Sequence, residues 1–244
     1  MSRKVGGRVQ LEVCVDSVES AIAAERGGAA RVELCADLDA GGITPSAGLI
    51  EEVRRRVKIG VHVMIRPRAG DFCYSRQEFE TMKRDVEFCK HARVDGVVFG
   101  ILTSNRTLDA QRMRLLVNRA HPLHVTVHRA VDEIKNWRPA VTMLRKLGVQ
   151  RILTSGGKQS AMQGLKRIRA VTEYADGAIE VMPGSGITFR NVGRVLAIHG
   201  IRAVHVLSCV TEMIPATRAK LFWSSIRRVN SERVQRLIEL LQQL

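Results

Sequence analysis

Two short runs in the sequence, Glu12-Val-Cys14 and Glu33-Leu-Cys35, each place a carboxylate two residues before a thiol. In a β-strand, residues i and i+2 share a face, so each run presents its acid and its sulfur on one side and apolar residues on the other. Two soft sulfurs suit Cu(I), with Met64 as a candidate third donor; a structural zinc site wants four ligands at characteristic spacings that are absent here. The same pair fits two small buried apolar side chains, which free cysteines often are. Residue chemistry leaves both readings open.

The other reactive residues fit a different chemistry. Glu12, Glu33, His128 and Asp132 are candidate acids or bases, and Arg66, Arg68 and Arg129 can clamp a phosphate or carboxylate. Such a set would serve an enzyme acting on a small anionic metabolite. Ser155, Gly156, Gly184 and Gly186 lie in glycine-rich turns whose backbone N–H groups can approach an anion, His205 is a further candidate ligand-binding side chain, and a helix starting at Thr188 would add its positive dipole end.

These residues need elements that bring them together. Short β-branched runs at 9–15, 31–35, 61–66, 96–102, 123–128, 151–155, 178–182 and 203–207 alternate with helical patterns at about 17–27, 46–57, 76–91, 109–119, 136–147, 160–174, 188–199 and 231–242. Eight βα units in 244 residues predict a single (β/α)8 TIM barrel spanning 1–244, with a basic C-terminal helical extension at about 222–244. An open doubly wound sheet is disfavoured because Val15-Asp-Ser-Val18 has no glycine to receive a dinucleotide. Asp16 or Ser17, Thr44 and Ser75 are candidate N-caps, and Gly148 and Gly200 candidate helix stops.

In a barrel the outward strand face packs under helices and must be apolar, so the polar residues of alternate positions point into the lumen. This places Gln10, Glu12 and Cys14 inward, with Arg31, Glu33 and Cys35, then His62, Met64 and Arg66, then His124, Thr126 and His128, and His205 on the last strand. Carboxylates inside a packed barrel need partners, and Arg66, Arg129, His128 and His205 are available to Glu12 and Glu33. Cys14, Cys35, Arg66, His128 and Ser155 fall near the C-terminal strand ends, where barrels of this kind work.

Composition narrows the function classes. Hydrophobic residues make up 45%, enough for a full core, yet no stretch approaches the roughly 20 apolar residues of a membrane span. The basic N-terminus lacks a following apolar segment, and five scattered cysteines with no C-x-x-C pair read as free thiols, which together predict a cytoplasmic protein. A formal charge of +15 would suit nucleic acid, but the cations are spread over helices and aromatics are only 4%, so nucleic acid is not the expected partner.

Taken in order, Leu11-Glu-Val-Cys-Val-Asp-Ser17, Gly28-Ala-Ala-Arg-Val-Glu-Leu-Cys35, Gly41-Gly-Ile-Thr-Pro-Ser46, Met64-Ile-Arg-Pro-Arg-Ala-Gly-Asp-Phe72, Thr126-Val-His-Arg-Ala-Val-Asp132, Arg151-Ile-Leu-Thr-Ser-Gly156 and Val181-Met-Pro-Gly-Ser-Gly186 resemble the CutC copper-homeostasis family. The resemblance runs from Leu11 to His205. It implies a (β/α)8 barrel, a cytosolic homo-oligomer, and Cu(I) bound through Cys14 and Cys35. After His205 the serine stands one place later than the family pattern, at Ser208.

Overall fold

A computed structural model describes residues 8–215 and 225–244. Eight parallel strands alternate with helices: β1 (Gln10–Val15), α1 (Val18–Arg26), β2 (Arg31–Leu34), α2 (Ala47–Arg56), β3 (Gly60–Met64), α3 (Arg76–His91), β4 (Gly96–Phe99), α4 (Ala110–Ala120), β5 (His124–Val127), α5 (Trp137–Lys146), β6 (Arg151–Thr154), α6 (Leu165–Ala175), β7 (Glu180–Pro183), α7 (Val192–Leu196) and β8 (Ala203–Val206). The ladder runs β7-β6-β5-β4-β3-β2-β1-β8. β7 and β8 then lie side by side, so the sheet curls into a nearly closed (β/α)8 barrel. Gly184 serves that seam: a Cβ there would stand 2.5 Å from Leu153 Cδ1 and 3.2 Å from His205 Cβ.

Strand alternation explains the barrel. Val13, Val32, Val63, Val97, Val127, Val181 and Val204 are buried outward under the helices. Each such side chain is worth roughly 1.5–3 kcal/mol on burial. The inward positions hold Glu12, Arg31, Glu33, His62, Thr126 and Arg151, all buried. Ser17 caps α1, Ser75 and Glu78 form a capping box on α3, and Gly148 ends α5 with φ +74°. The α2 cap is Ser46 rather than Thr44, whose hydroxyl instead accepts the Arg66 N–H at 2.9 Å.

Three segments differ from the sequence pattern. The 160–174 helix starts only at Leu165. The 188–199 helix shrinks to α7, five residues beginning at Val192, with Thr188 N–H donating to Asn191 Oδ1 at 2.8 Å in the turn before it; no helix dipole begins at Thr188. In place of a purely helical C-terminal extension, β9 (Thr211–Pro215) and β10 (Ser225–Val229) form an antiparallel hairpin, followed by α8 (Ser231–Gln243). The β-branched Ile226 and Val229 flank Arg227 and Arg228, whose guanidiniums pair with Asp39 and Glu19, so cross-strand packing outweighs helix propensity. Positions 222–224 of that extension lie outside the described residues. Among the described residues no helix is long and apolar enough to cross a membrane.

Candidate functional site

The register of β1 and β2 sets the thiols. Cα partners are Glu12 with Arg31 and Cys14 with Glu33, so Cys35 stands one inward step further along β2. The side chains close this offset: Cys14 Sγ donates to Cys35 Sγ at 3.8 Å. Cys14, Cys35, Met64 and Val98 form one buried cluster, flanked by Leu38 and Leu207. The loop after β2 folds over Cys35 through an Ala36–Ile43 bridge, and Gly42, at φ +85°, lies so near that a Cβ would sit 3.1 Å from the Cys35 sulfur. Only glycine meets both demands cheaply.

Arg66 holds that loop down. Its Nη1 donates to the Ala40 and Gly42 carbonyls at 3.0 Å each and its Nη2 to Gly70 O at 2.8 Å, leaving a buried Nε without a partner. Its guanidinium also rests over the Phe72 ring at 5.2 Å, and that ring packs on His128 at 4.9 Å. Arg66 therefore positions the site more than it offers a fork to a ligand. Arg68 is turned away from the mouth: it pairs with Glu78 at 2.6 Å and Asp71 at 2.9 Å and donates to the Cys73 carbonyl. Its local carboxylates outcompete a ligand there.

Glu33 Oε2 meets His205 Nε2 at 2.8 Å, one of the pairings expected from the sequence. Burial disfavours a charged His205 ring, but the Glu33 carboxylate and Cys14 outweigh it and hold its pKa well above the ordinary value. Glu12 pairs elsewhere. Its Oε2 accepts from Arg31 Nε, with Arg151 Nη1 at 3.9 Å, one layer below the cavity. Burial would raise Glu12, yet Arg31, His205, His62 and Arg151 hold it at about 2. Arg31 was legible as an inward-facing strand residue and Arg151 only as the start of a strand, and nothing in their spacing identified them as the partners of Glu12.

Asp132 organises the opposite side of the mouth. Oδ1 accepts from Thr154 Oγ1 at 2.5 Å and Gly157 N at 2.8 Å; Oδ2 accepts from Ser155 N at 2.9 Å, Ser155 Oγ at 2.8 Å and Arg129 Nε at 3.2 Å. A carboxylate so fully engaged fixes the β6 loop and is poorly suited to take a substrate proton. Ser155 is buried, its one hydroxyl hydrogen shared between Asp132 Oδ2 and Lys158 O, and Gly156 N–H goes to Thr154 Oγ1, so both support the loop from behind. Arg129 stays partly exposed, donating Nη2 to Ser155 Oγ at 2.9 Å and to Lys158 O at 3.2 Å.

His128 accepts the Ala130 N–H on Nδ1 at 3.2 Å, which puts its proton on Nε2, a buried atom with no partner. Burial, with Arg66 beside it, lowers its pKa to about 3, and burial lowers His62 to about 4. Both are neutral in the fold and charged in the unfolded chain below about pH 6.5. The unfolded state then binds more protons, so stability falls as the pH is lowered. From pH 7 to 5 each costs about 2 kcal/mol. The raised His205 offsets only part of this loss, since its contribution is complete once pH falls below the unfolded value. Denaturant unfolding at the two pH values checks this, with His128→Asn expected to remove about half the fall; a flat profile would contradict it.

The thiols are protonated at neutral pH. The bond to Cys35, burial and the Glu33 charge hold Cys14 well above the usual thiol range. That same bond lowers Cys35, but burial and the Glu33 and Glu12 carboxylates prevail and leave it at about 11. Cys14, Glu33 and Cys35 offer donor atoms within 4.8 Å of one another.

These groups open onto a cavity of about 1090 Å³ at the C-terminal strand ends. Of the predicted residues, Cys14, Glu33, Arg66, His128, Arg129, Asp132, Gly186 and His205 line it; Glu12, Cys35, Arg68, Ser155, Gly156 and Gly184 lie behind or away. Lys158, Gln159 and Gln163 also line it, from the β6 loop, where exposed polar residues gave no periodic signal.

A profile of the CutC family matches residues 9–210. The human copper homeostasis protein cutC homolog is 49% identical over 195 residues, 80% of this chain and 71% of the human one. A CutC family protein of Xanthomonas axonopodis pv. citri is 40% identical over 237 residues, 96% of this chain and 99% of that one. The crystal structure of CutC from Streptococcus agalactiae superposes with a TM-score of 0.77 at 33% identity, covering 81% of this chain and 97% of that one. A thiamine phosphate pyrophosphorylase from Pyrococcus furiosus, at TM-score 0.63 and 15% identity over 97% of this chain and 96% of its own, shares the fold alone. By profile, identity and architecture, this chain belongs to the CutC family.

Proposed function

We propose that this protein serves copper homeostasis by holding one Cu(I) between Cys14 and Cys35 at the mouth of the barrel. The observation that carries the reading is two buried sulfurs 3.8 Å apart, preset by neighbouring strands. The donor set fits the ion: soft sulfur with Met64 beside it, in an apolar pocket with Val98, Leu38 and Leu207. Binding displaces the thiol protons, and the resulting negative charge lies next to the raised-pKa His205. The copper names of the human and mouse relatives support the same reading. A reducing compartment such as the cytoplasm would keep the thiols available.

Anaerobic Cu(I) titration against a competing chelator tests it. Wild type should take up one Cu(I) per chain, and the Cys14→Ser, Cys35→Ser double variant none. Equal uptake would sink the proposal.

The cavity favours a second reading, an enzyme acting on a small phosphate- or carboxylate-bearing metabolite. Its volume is that of a small-molecule site, and Glu33, His128 and His205 line it. Thermal-shift screening against such metabolites distinguishes the two, because a ligand of the folded state raises the midpoint.

A further inference from the structure

We propose that copper arrives as the Cu(I) complex of a small anionic thiol, and that Arg129 and Lys158 at the cavity rim recognise the acidic groups of that carrier. The inference rests on the copper reading above. Its starting point is a mismatch: the thiols would bind a cation, yet the cavity leading to them carries a cationic rim.

The two thiols are not equivalent. Cys14 lines the cavity and Cys35 does not, so an incoming ion meets Cys14 first. Around the mouth stand Arg66, Arg129 and Lys158. The neighbouring carboxylates offset them only in part: Asp132 pairs with Arg129 at 3.2 Å, Glu133 lies 3.8 Å from Arg106 and Glu33 is paired with His205, which leaves Arg66 and Lys158 with no carboxylate partner among the described residues. The whole chain adds a formal +15. A bare Cu(I) ion would approach against this field, whereas an anionic complex is drawn in.

Arg129 is built to receive an acid group. Asp132, Ser155 Oγ and Lys158 O fix its Nε and Nη2, and its Nη1 has no hydrogen-bond partner among the described residues. Its side chain is 43% exposed. Ser185 and Gly186 line the same cavity, with positive φ angles of 72° and 68°. The cavity volume, about 1090 Å³, is that of a small-molecule site rather than an ion channel, and Phe72 and Leu207 give its wall an apolar part for a carrier stem.

The transfer is ligand exchange without redox change. Cys14 displaces one carrier thiolate from the two-coordinate anionic complex. A Cu–S bond to Cys14 forms, a Cu–S bond to the carrier breaks, and the Cys14 proton leaves on the released carrier thiol. Cys35 repeats the exchange, its proton leaving on the second thiol. The copper ends between Cys14 and Cys35, and the two-sulfur copper core keeps its single negative charge throughout while the acidic groups leave with the carrier thiols.

Anaerobic rapid mixing with Cu(I)–glutathione and with Cu(I)–2-mercaptoethanol, whose carrier bears no carboxylate, tests the proposal through the ratio of the two loading rates. Wild type should load faster from glutathione, and high salt should narrow the difference. Lys158→Glu, at an exposed side chain, should lower the ratio about tenfold, and Arg129→Gln should lower it too. A wild-type ratio near one, or a ratio unchanged in Lys158→Glu, overturns the anionic carrier and leaves the copper site standing. Wild type that takes copper from neither donor overturns the copper reading, and this inference with it.

Discussion

Replacing Arg31 with Met should destabilise the barrel by about 3–5 kcal/mol, the range for removing one partner of a buried ion pair. Glu12 is fully buried, its Oε1 has no partner, and its Oε2 depends on Arg31 Nε. Without Arg31, the nearest remaining guanidinium is Arg151 at 3.9 Å, itself engaged with Glu180. The charge would be stranded rather than lost. A joint Glu12→Met, Arg31→Met variant removes both charges and should fall close to wild type, since apolar side chains of similar volume replace a buried pair at little cost. Denaturant unfolding of the three proteins measures this. Equal losses in the single and double variants would show that packing, rather than a stranded carboxylate, sets the effect.

Each single thiol variant should lose copper almost as completely as the double one. In a two-sulfur site the second sulfur binds within the molecule, at high effective concentration, and removing either one forfeits that gain, about 10²–10⁴-fold in affinity. Cys14→Ser and Cys35→Ser are therefore expected to behave alike under chelator competition, although only Cys14 lines the cavity. One variant holding copper as wild type does would mean that Met64 or Glu33, not the second cysteine, completes the site.

The barrel was legible because its determinants are local and repeated. Alternating valines mark outward faces such as Val61, Val63 and Ile65, and polar residues at the intervening positions mark the lumen. Side-chain partnership was less legible. Arg68 stands beside the Arg66 turn in sequence, but Glu78 on the capped start of α3 draws it away. Asp132 carries the residue type of a base, yet Thr154, Ser155 and Gly157, more than twenty residues later, consume its lone pairs. Lys158 belongs to an irregular loop where no periodicity marks which side chains face the cavity. The hairpin of β9 and β10 was hidden because its pairing spans distant residues, Thr211 with Val229 and Pro215 with Ser225. The Cys14–Cys35 contact was foreseeable from adjacent strands, while the one-step offset that sets its geometry follows only from the register.

X-ray absorption at the copper edge of the anaerobically loaded protein tests the central claim most directly. Copper between Cys14 and Cys35 should appear as Cu(I) with two sulfur neighbours, a shell that disappears in the double serine variant. A first shell made of nitrogen or oxygen, or a sulfur shell that persists without the two thiols, would contradict it.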